Sequence, residues 1–319
     1  MKEFQIGNNE KNQRLDKYLK KLLSQAPGSF IYKMLRKKNI TLNGKKADGS
    51  EKLQLGDEVK LFLSEETWTK FSKAPARTYP RISLDIIYED ENILAINKPA
   101  GMLSQKGKHS DISANEYIIG YLLGKQELTE EELKTFRPSV CNRLDRNTSG
   151  LLIAGKSLKG LQELGAQLQS RSAEKYYLCL VKGKISESRL LEGWLSKDEI
   201  RNQVKVTQTE VPGSKHIQTA CMPVETFTVE QQGDFTLLNV RLITGRSHQI
   251  RAHLAALGYP VLGDHKYGDK HINTWGYREL GIQSQLLHAS LIKLADGRTL
   301  EAPVSGIFQK TLDFLRTHR

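Results

Sequence analysis

Apolar and polar positions along this chain follow two different periods, and the change of period divides it. Leu15, Tyr18, Leu19, Leu22 and Leu23 recur at helical spacing, with Lys17, Lys20 and Lys21 largely on the other side. That is the stripe of an amphipathic helix. After the break at Pro27-Gly28, Ser29 is placed to cap a second helix with Ile31, Met34 and Leu35 inward. This helix ends in Arg36, Lys37 and Lys38. Ile40-Thr41-Leu42, Asn43-Gly44 and Lys45-Lys46 then read as a strand entering a tight hairpin, and Leu55 to Val59 adds a turn and a further strand.

A run rich in Ser, Thr, Lys and Pro, from Ser64 to Arg81, reads as a linker. Beyond it the pattern turns to short strands and helices without a repeat. Leu84 to Tyr88 and Ile93 to Ile96 predict strands, and Pro99 stops the second because it cannot continue a ladder. Lys175 to Gly183 predicts a strand with Tyr177, Cys179 and Val181 on one face and Tyr176, Leu178 and Leu180 on the other. An apolar strand from Phe235 to Ile243 meets Gly245. Ser247 is placed to cap a helix running to about Leu257, with Arg251 on the face of His248 and Ala255, and Ile250, Leu254 and Leu257 toward the core. The expected fold class is α+β, a small basic module followed by a larger domain.

Charge sharpens this division. The chain of 319 residues carries a formal net charge of +12, which favours a polyanionic partner. Residues 1–50 hold twelve Lys/Arg against four Asp/Glu, whereas residues 51–100 hold seven against nine. The excess is structured, because it lies on the two predicted helices. Long apolar segments are missing and the N-terminus is polar, so neither a signal peptide nor a membrane span is expected. Cys141, Cys179 and Cys221 are odd in number and without metal-type spacing. They suit a reducing cytoplasm and make a disulfide framework or zinc site unexpected.

Candidate chemistry sits in four segments. Cys141-Asn142-Arg143-Leu144-Asp145-Arg146-Asn147-Thr148-Ser149-Gly150 places a cation and a carboxylate in a polar turn just before the apolar run Leu151 to Ala154. A turn at a strand edge is where an acid can be fixed against a rigid scaffold. Arg14-Leu15-Asp16 repeats the tripeptide in a helical setting, so the tripeptide alone decides nothing. The other segments are Lys175 to Gly183, Thr244-Gly245-Arg246-Ser247-His248-Gln249-Ile250-Arg251, and Gly258 to Asp264 with Tyr267-Gly268. His248 and His253 are five apart and do not share a helical face, which speaks against a metal pair.

In order and wording, the segments from about residue 84 to 300 resemble the RluA-type pseudouridine synthases. Tyr88-Glu89-Asp90, Lys98-Pro99-Ala100-Gly101 and Trp194 to Asp198 add to the likeness, and Asn142 stands where that family usually has His. Residues 12–64 resemble the RNA-binding module first seen in a ribosomal small-subunit protein. The resemblance implies a module over residues 9–64, a linker over 65–82 and a catalytic domain over 83–319, the latter with a mixed, mostly antiparallel sheet flanked by helices. It also implies isomerisation of uridine to pseudouridine in structured RNA, without metal or cofactor, by a cytoplasmic monomer.

By the same resemblance, Asp145 acts at the ribose, either adding to carbon 1′ or taking the proton from carbon 2′. Arg251 is its cation partner, with Arg246 in reserve, since a carboxylate in a dry pocket needs one. Tyr177 lies against the base, and Arg143 fills the gap left by a flipped nucleotide. Arg246, Lys33, Arg36, Lys37 and Lys38 are the further RNA contacts. Large-subunit ribosomal RNA is the expected substrate, with transfer RNA as the alternative. Two other classes stay open. A glycoside hydrolase would need a second carboxyl group, for which Asp264 is the candidate, and a non-catalytic RNA-binding factor would need no site at all.

Overall fold

The computed structural model describes residues 1–72, 79–108, 110–198, 203–304 and 306–318. Its first core gathers β1 (Lys2–Gln5), α1 (Leu15–Leu22), α2 (Gly28–Arg36), β2 (Ile40–Leu42), β3 (Lys45–Lys46) and β4 (Glu58–Leu61). Leu15, Tyr18, Leu19 and Leu22 of α1 and Ile31, Met34 and Leu35 of α2 are buried, as their spacing predicts. Each such side chain contributes about 1.5–3 kcal/mol by leaving water. The strands run in the order β1-β4-β2-β3. Asn43 and Gly44 have φ values of 51° and 71°, the pair of left-handed residues that a two-residue hairpin turn requires.

Three local expectations need correction. Pro27 occupies the capping position of α2 and Ser29 lies inside the first turn, because the fixed φ of proline already suits a helix start. The module begins before residue 9, since β1 pairs with β4. The expected linker is helical in its first part. In α3 (Glu65–Ser72) Trp68 and Phe71 pack on the first core, 5.7 Å from the Phe4 ring and 4.5 Å from the Phe30 ring respectively. Two aromatic residues three apart on a helix share a face, and the polar composition around them hid it. Residues 73–78 lie outside the described residues.

The second part is built on β5 (Ile86–Glu89), β6 (Ile93–Lys98), α4 (Ala114–Gly124), β7 (Ser139–Val140), β8 (Ser149–Gly155), α5 (Leu158–Ser170) and β9 (Glu174–Lys182). It continues with β10 (Arg189–Asp198), β11 (Gln203–Thr207), β12 (Lys215–Val229), β13 (Gly233–Leu242) and α6 (Gln249–Ala256). After these come α7 (Lys270–Leu280), β14 (Leu287–Lys293), β15 (Thr299–Glu301) and α8 (Gly306–Thr317). The strands form one sheet in the order β11-β10-β12-β13-β9-β14-β8-β6-β5, with β15 on β14 and β7 on β8. Its two faces bury different sets of residues. Tyr177, Cys179 and Val181 of β9 join one core, while Leu178 and Leu180 belong to another with α7 and α8.

One pairing sets the geometry of everything near Asp145. Among the named strands of the described residues β8 and β14 alone run parallel, with Ser149 beside His288 and Gly150 beside Ala289. The chain enters β8 from the Asp145 turn at this seam. Gly150 has φ 106°, and a Cβ there would stand 2.2 Å from the Ala289 carbonyl oxygen. Neither the dihedral nor the space admits a side chain. Ser149 Oγ lies 2.9 Å from His288 Nδ1 and fastens the same point.

Gly150→Ala is therefore expected to lower stability by roughly 2–5 kcal/mol, combining left-handed strain with a steric overlap. A urea midpoint within error of the parent would contradict this account of the seam.

Candidate active site

The Asp145 turn is held from several directions by groups that cannot all move together. Lys98, at the end of β6, is fully buried, and its ammonium donates to the carbonyls of Pro99 (2.8 Å), Met102 (2.9 Å) and Arg146 (3.1 Å). Burial lowers its pKa to about 7, against the pull of the Asp145 carboxylate. Three carbonyl acceptors match the three N–H bonds of an ammonium, which favours the charged form. Ser104 Oγ donates to the Leu144 carbonyl and accepts from the Leu144 amide. Asn142 donates to the Leu151 carbonyl (3.0 Å) and accepts from the Ile153 amide (2.8 Å). Its side chain thus acts as a rung of the sheet, a role its donor and acceptor both serve.

Arg251 projects from the first turn of α6 and is 6% exposed. Its Nη1 donates to Asp145 Oδ2 at 2.8 Å. The other edge of the guanidinium grips Asp264, with Nε at 2.6 Å from Oδ2 and Nη2 at 2.9 Å from Oδ1. Asp264 is 1% exposed and also accepts from the amides of Lys266 and Tyr267. Burial works against both charges. The pairing overcomes it, so the pKa of Arg251 is raised and that of Asp264 lowered. One arginine is thus clamped by one carboxylate and presented to another.

These residues open into a cleft lined by the polar Arg143, Asp145, Tyr177, Arg246, His248 and Arg251 and by the apolar Leu242, Ile250 and Leu287. Tyr177 is buried; desolvation first, and the charge of Asp145 second, raise its pKa, so its hydroxyl stays protonated at neutral pH. The structure brings Asp145, Tyr177, Arg251, Arg143 and Arg246 to one place. Arg246 lies on the exposed rim, and the cation that reaches Asp145 is Arg251. Lys33, Arg36, Lys37 and Lys38 are exposed on the first module at the C-terminal end of α2. Their local pattern is a cationic helix end.

The α6 region departs from the expected cap. Ser247 lies outside the helix, and His248 stands at its start with φ 54°. His248 makes no side-chain capping bond, and Gln249 instead braces the turn before the helix, its Oε1 accepting from the Arg246 amide and the Thr244 hydroxyl. Leu257 is 39% exposed rather than in the core, since the helix has already ended. Tyr267 oxygen accepts from the Val204 amide, and its hydroxyl lies 2.9 Å from His248 Nδ1. The roles of Asp264, Tyr267 and Lys98 were not read from the sequence. The signal for the first two was the Gly263-Asp264…Tyr267-Gly268 spacing, which alone means only a turn. For Lys98 it was a cation at the end of an apolar strand.

Comparison with known proteins gives the family of the chain. The RNA pseudouridylate synthase family matches residues 92–256, and the S4 domain matches residues 13–59. The "Ribosomal large subunit pseudouridine synthase C" of Pasteurella multocida is 31% identical over 100% of this chain and 95% of its own length. That of Haemophilus influenzae is 31% identical over 94% and 90%. "Human RNA Pseudouridylate Synthase Domain Containing 1" superposes with a TM-score of 0.56 at 21% identity, covering 76% of this chain and 90% of the human one. The last likeness concerns fold.

Arg251→Lys keeps the charge but cannot bridge two carboxylates with one planar fork. We expect activity to fall by about a hundredfold or more and stability by about 1–3 kcal/mol. Steady-state turnover and a denaturation curve measure the two, and a fully active Lys variant would reject the bridging role.

Proposed function

The chain belongs to the RNA pseudouridylate synthase family, and on that premise we propose that it isomerises uridines of large-subunit ribosomal RNA in the cytoplasm, acting as a monomer. The enzyme is a pseudouridine synthase. The choice of ribosomal RNA rests on relatives named for the ribosomal large subunit that match along essentially the whole chain, the S4 domain included.

The observation that carries the site assignment is the Arg251 guanidinium shared between Asp145 and Asp264. Asp264 is spent on Arg251 and buried, so it is not a second acid or base. That removes the carboxyl pair a glycoside hydrolase would need. Asp145 keeps a half-buried face toward the cleft. In the reaction the bond from carbon 1′ to nitrogen 1 breaks, the uracil turns, and carbon 5 bonds to carbon 1′. Carbon 5 loses a proton and nitrogen 1 gains one, so nothing is consumed. Asp145 acts on the sugar, at carbon 1′ or at the carbon 2′ proton. Tyr177, protonated and lining the cleft, stacks on the base. Arg143 takes the space the base leaves, and Arg246 meets the backbone at the rim.

Exposed cations on α2 extend the footprint. Lys33, Arg36, Lys37 and Lys38 have no carboxylate partner among the described residues, which leaves them for phosphates.

Asp145→Asn preserves volume and the hydrogen bond from Arg251 but removes the negative charge. Pseudouridine formation should drop by roughly 10⁴-fold or more, with RNA affinity within a few-fold. Turnover by the Asn variant, or pseudouridines lost from transfer RNA alone when the gene is deleted, would oppose the assignment. Replacing Lys33, Arg36, Lys37 and Lys38 by Gln together should flatten the salt dependence of RNA affinity. The expected change is about 0.7–0.9 in log–log slope for each residue that touches a phosphate, which a filter-binding titration reads directly.

A further inference from the structure

Strand β9 treats positive charge differently on its two faces. On the face away from the cleft, Glu174 accepts from the Arg241 guanidinium and from the Tyr176 hydroxyl. The Lys293 ammonium lies 5.5 Å from the centre of the Tyr176 ring. Charge there is compensated. Lys175 stands between Glu174 and Tyr176, so its side chain leaves the strand on the opposite face, with Tyr177. No carboxylate among the described residues is within ion-pair distance of it, and its ammonium makes no hydrogen bond with them.

The position is next to the cleft. Tyr176 pairs with Arg241 of β13, so Lys175 lies one step further, beside Leu242 of the cleft wall. Its Nζ rests against the turn that carries Arg246, since a Cβ built on Gly245 would stand 3.3 Å from it. Lys175 is only partly exposed, and Arg171, exposed at the end of α5, is close enough for its charge to act on it. Burial first, and this like charge second, push the Lys175 pKa down. A desolvated cation facing another cation costs free energy in the unliganded protein. An arriving anion relieves that cost.

We propose that Lys175, with Arg171 and Arg246, binds a phosphodiester of the RNA strand next to the uridine held in the cleft. This rests on the reading of the cleft as the site of pseudouridine formation. Two residues along a strand span roughly 6–7 Å, which is about the reach from a base stacked on Tyr177 to its own backbone phosphate. The charges at the cleft rim are thereby divided. Arg143 sits on the Asp145 turn and faces the gap in the RNA, whereas the Lys175 group faces the strand that leads into it.

Lys175→Met keeps the length and the apolar stem and removes the charge. With the full chain and the RNA that it modifies, the log–log salt slope of binding should become shallower by about 0.7–0.9. The loss should fall on KM, by about tenfold, rather than on kcat, and the thermal midpoint should be unchanged or higher. A slope and KM equal to the parent's would overturn the proposal. A lower thermal midpoint with an unchanged slope would overturn it too, since that marks a lysine with a purely structural part. Lys175→Gln, judged by the same criteria, replaces the Met variant if that one does not fold. If the parent chain binds RNA with a Lys175-dependent slope yet forms no pseudouridine, the phosphate contact stands and the catalytic reading fails.

Discussion

The guanidinium of Arg251 joins parts of the chain that have no other reason to meet. It takes Asp145 from the turn before β8, sits on α6, and is clamped by Asp264 from the irregular path after that helix. A buried arginine needs its donors satisfied, and a buried carboxylate needs its charge balanced. Asp264 and Asp145 both depend on this one cation. Geometry follows from this economy. The fork of the guanidinium is planar, so fixing one edge on Asp264 fixes where the other edge points.

The opposite side of the same turn depends on a second buried cation. Lys98 holds the carbonyls of Pro99, Met102 and Arg146, while Ser104 holds the amide and carbonyl of Leu144 and Asn142 holds the β8 backbone at Leu151 and Ile153. The turn is therefore held through its backbone and the Asp145 carboxylate through its side chain. The module's cations are arranged on the other principle. Lys33 and Arg36 to Lys38 are exposed and have no carboxylate partner among the described residues.

Much of this was legible along the chain. Helical spacing gave α1 and α2, alternation gave the two faces of β9, and Asn43-Gly44 gave the hairpin. The four chemical segments came together in space, with Asp145, Tyr177, Arg143, Arg246 and Arg251 around one cleft. The failures have a common cause. Helix α3 was hidden because Trp68 and Phe71 are only two apolar anchors in a polar run, and their partners Phe4 and Phe30 lie far upstream. Ser247 fell outside α6 because His248, in the left-handed conformation, takes the position just before its first turn. Asp264 gained its role from Arg251, 13 residues upstream, and Lys98 its hold on the Asp145 turn from Arg146, 48 residues downstream, separations that no local period records.

The seam between β8 and β14 also bears on the order in which the protein can assemble. Ser149 and His288 are 139 positions apart, and Asp145 and Arg251 are 106 apart. Contacts of such separation form late, because the intervening loop must close before they return any free energy. During synthesis the N-terminal module, whose sheet and helices all lie within the first quarter of the chain, can fold as it emerges. The Asp145 turn has no parallel neighbour until residues near Ala289 have left the ribosome. The growing chain thus acquires an RNA-facing surface well before it acquires a site able to act on RNA.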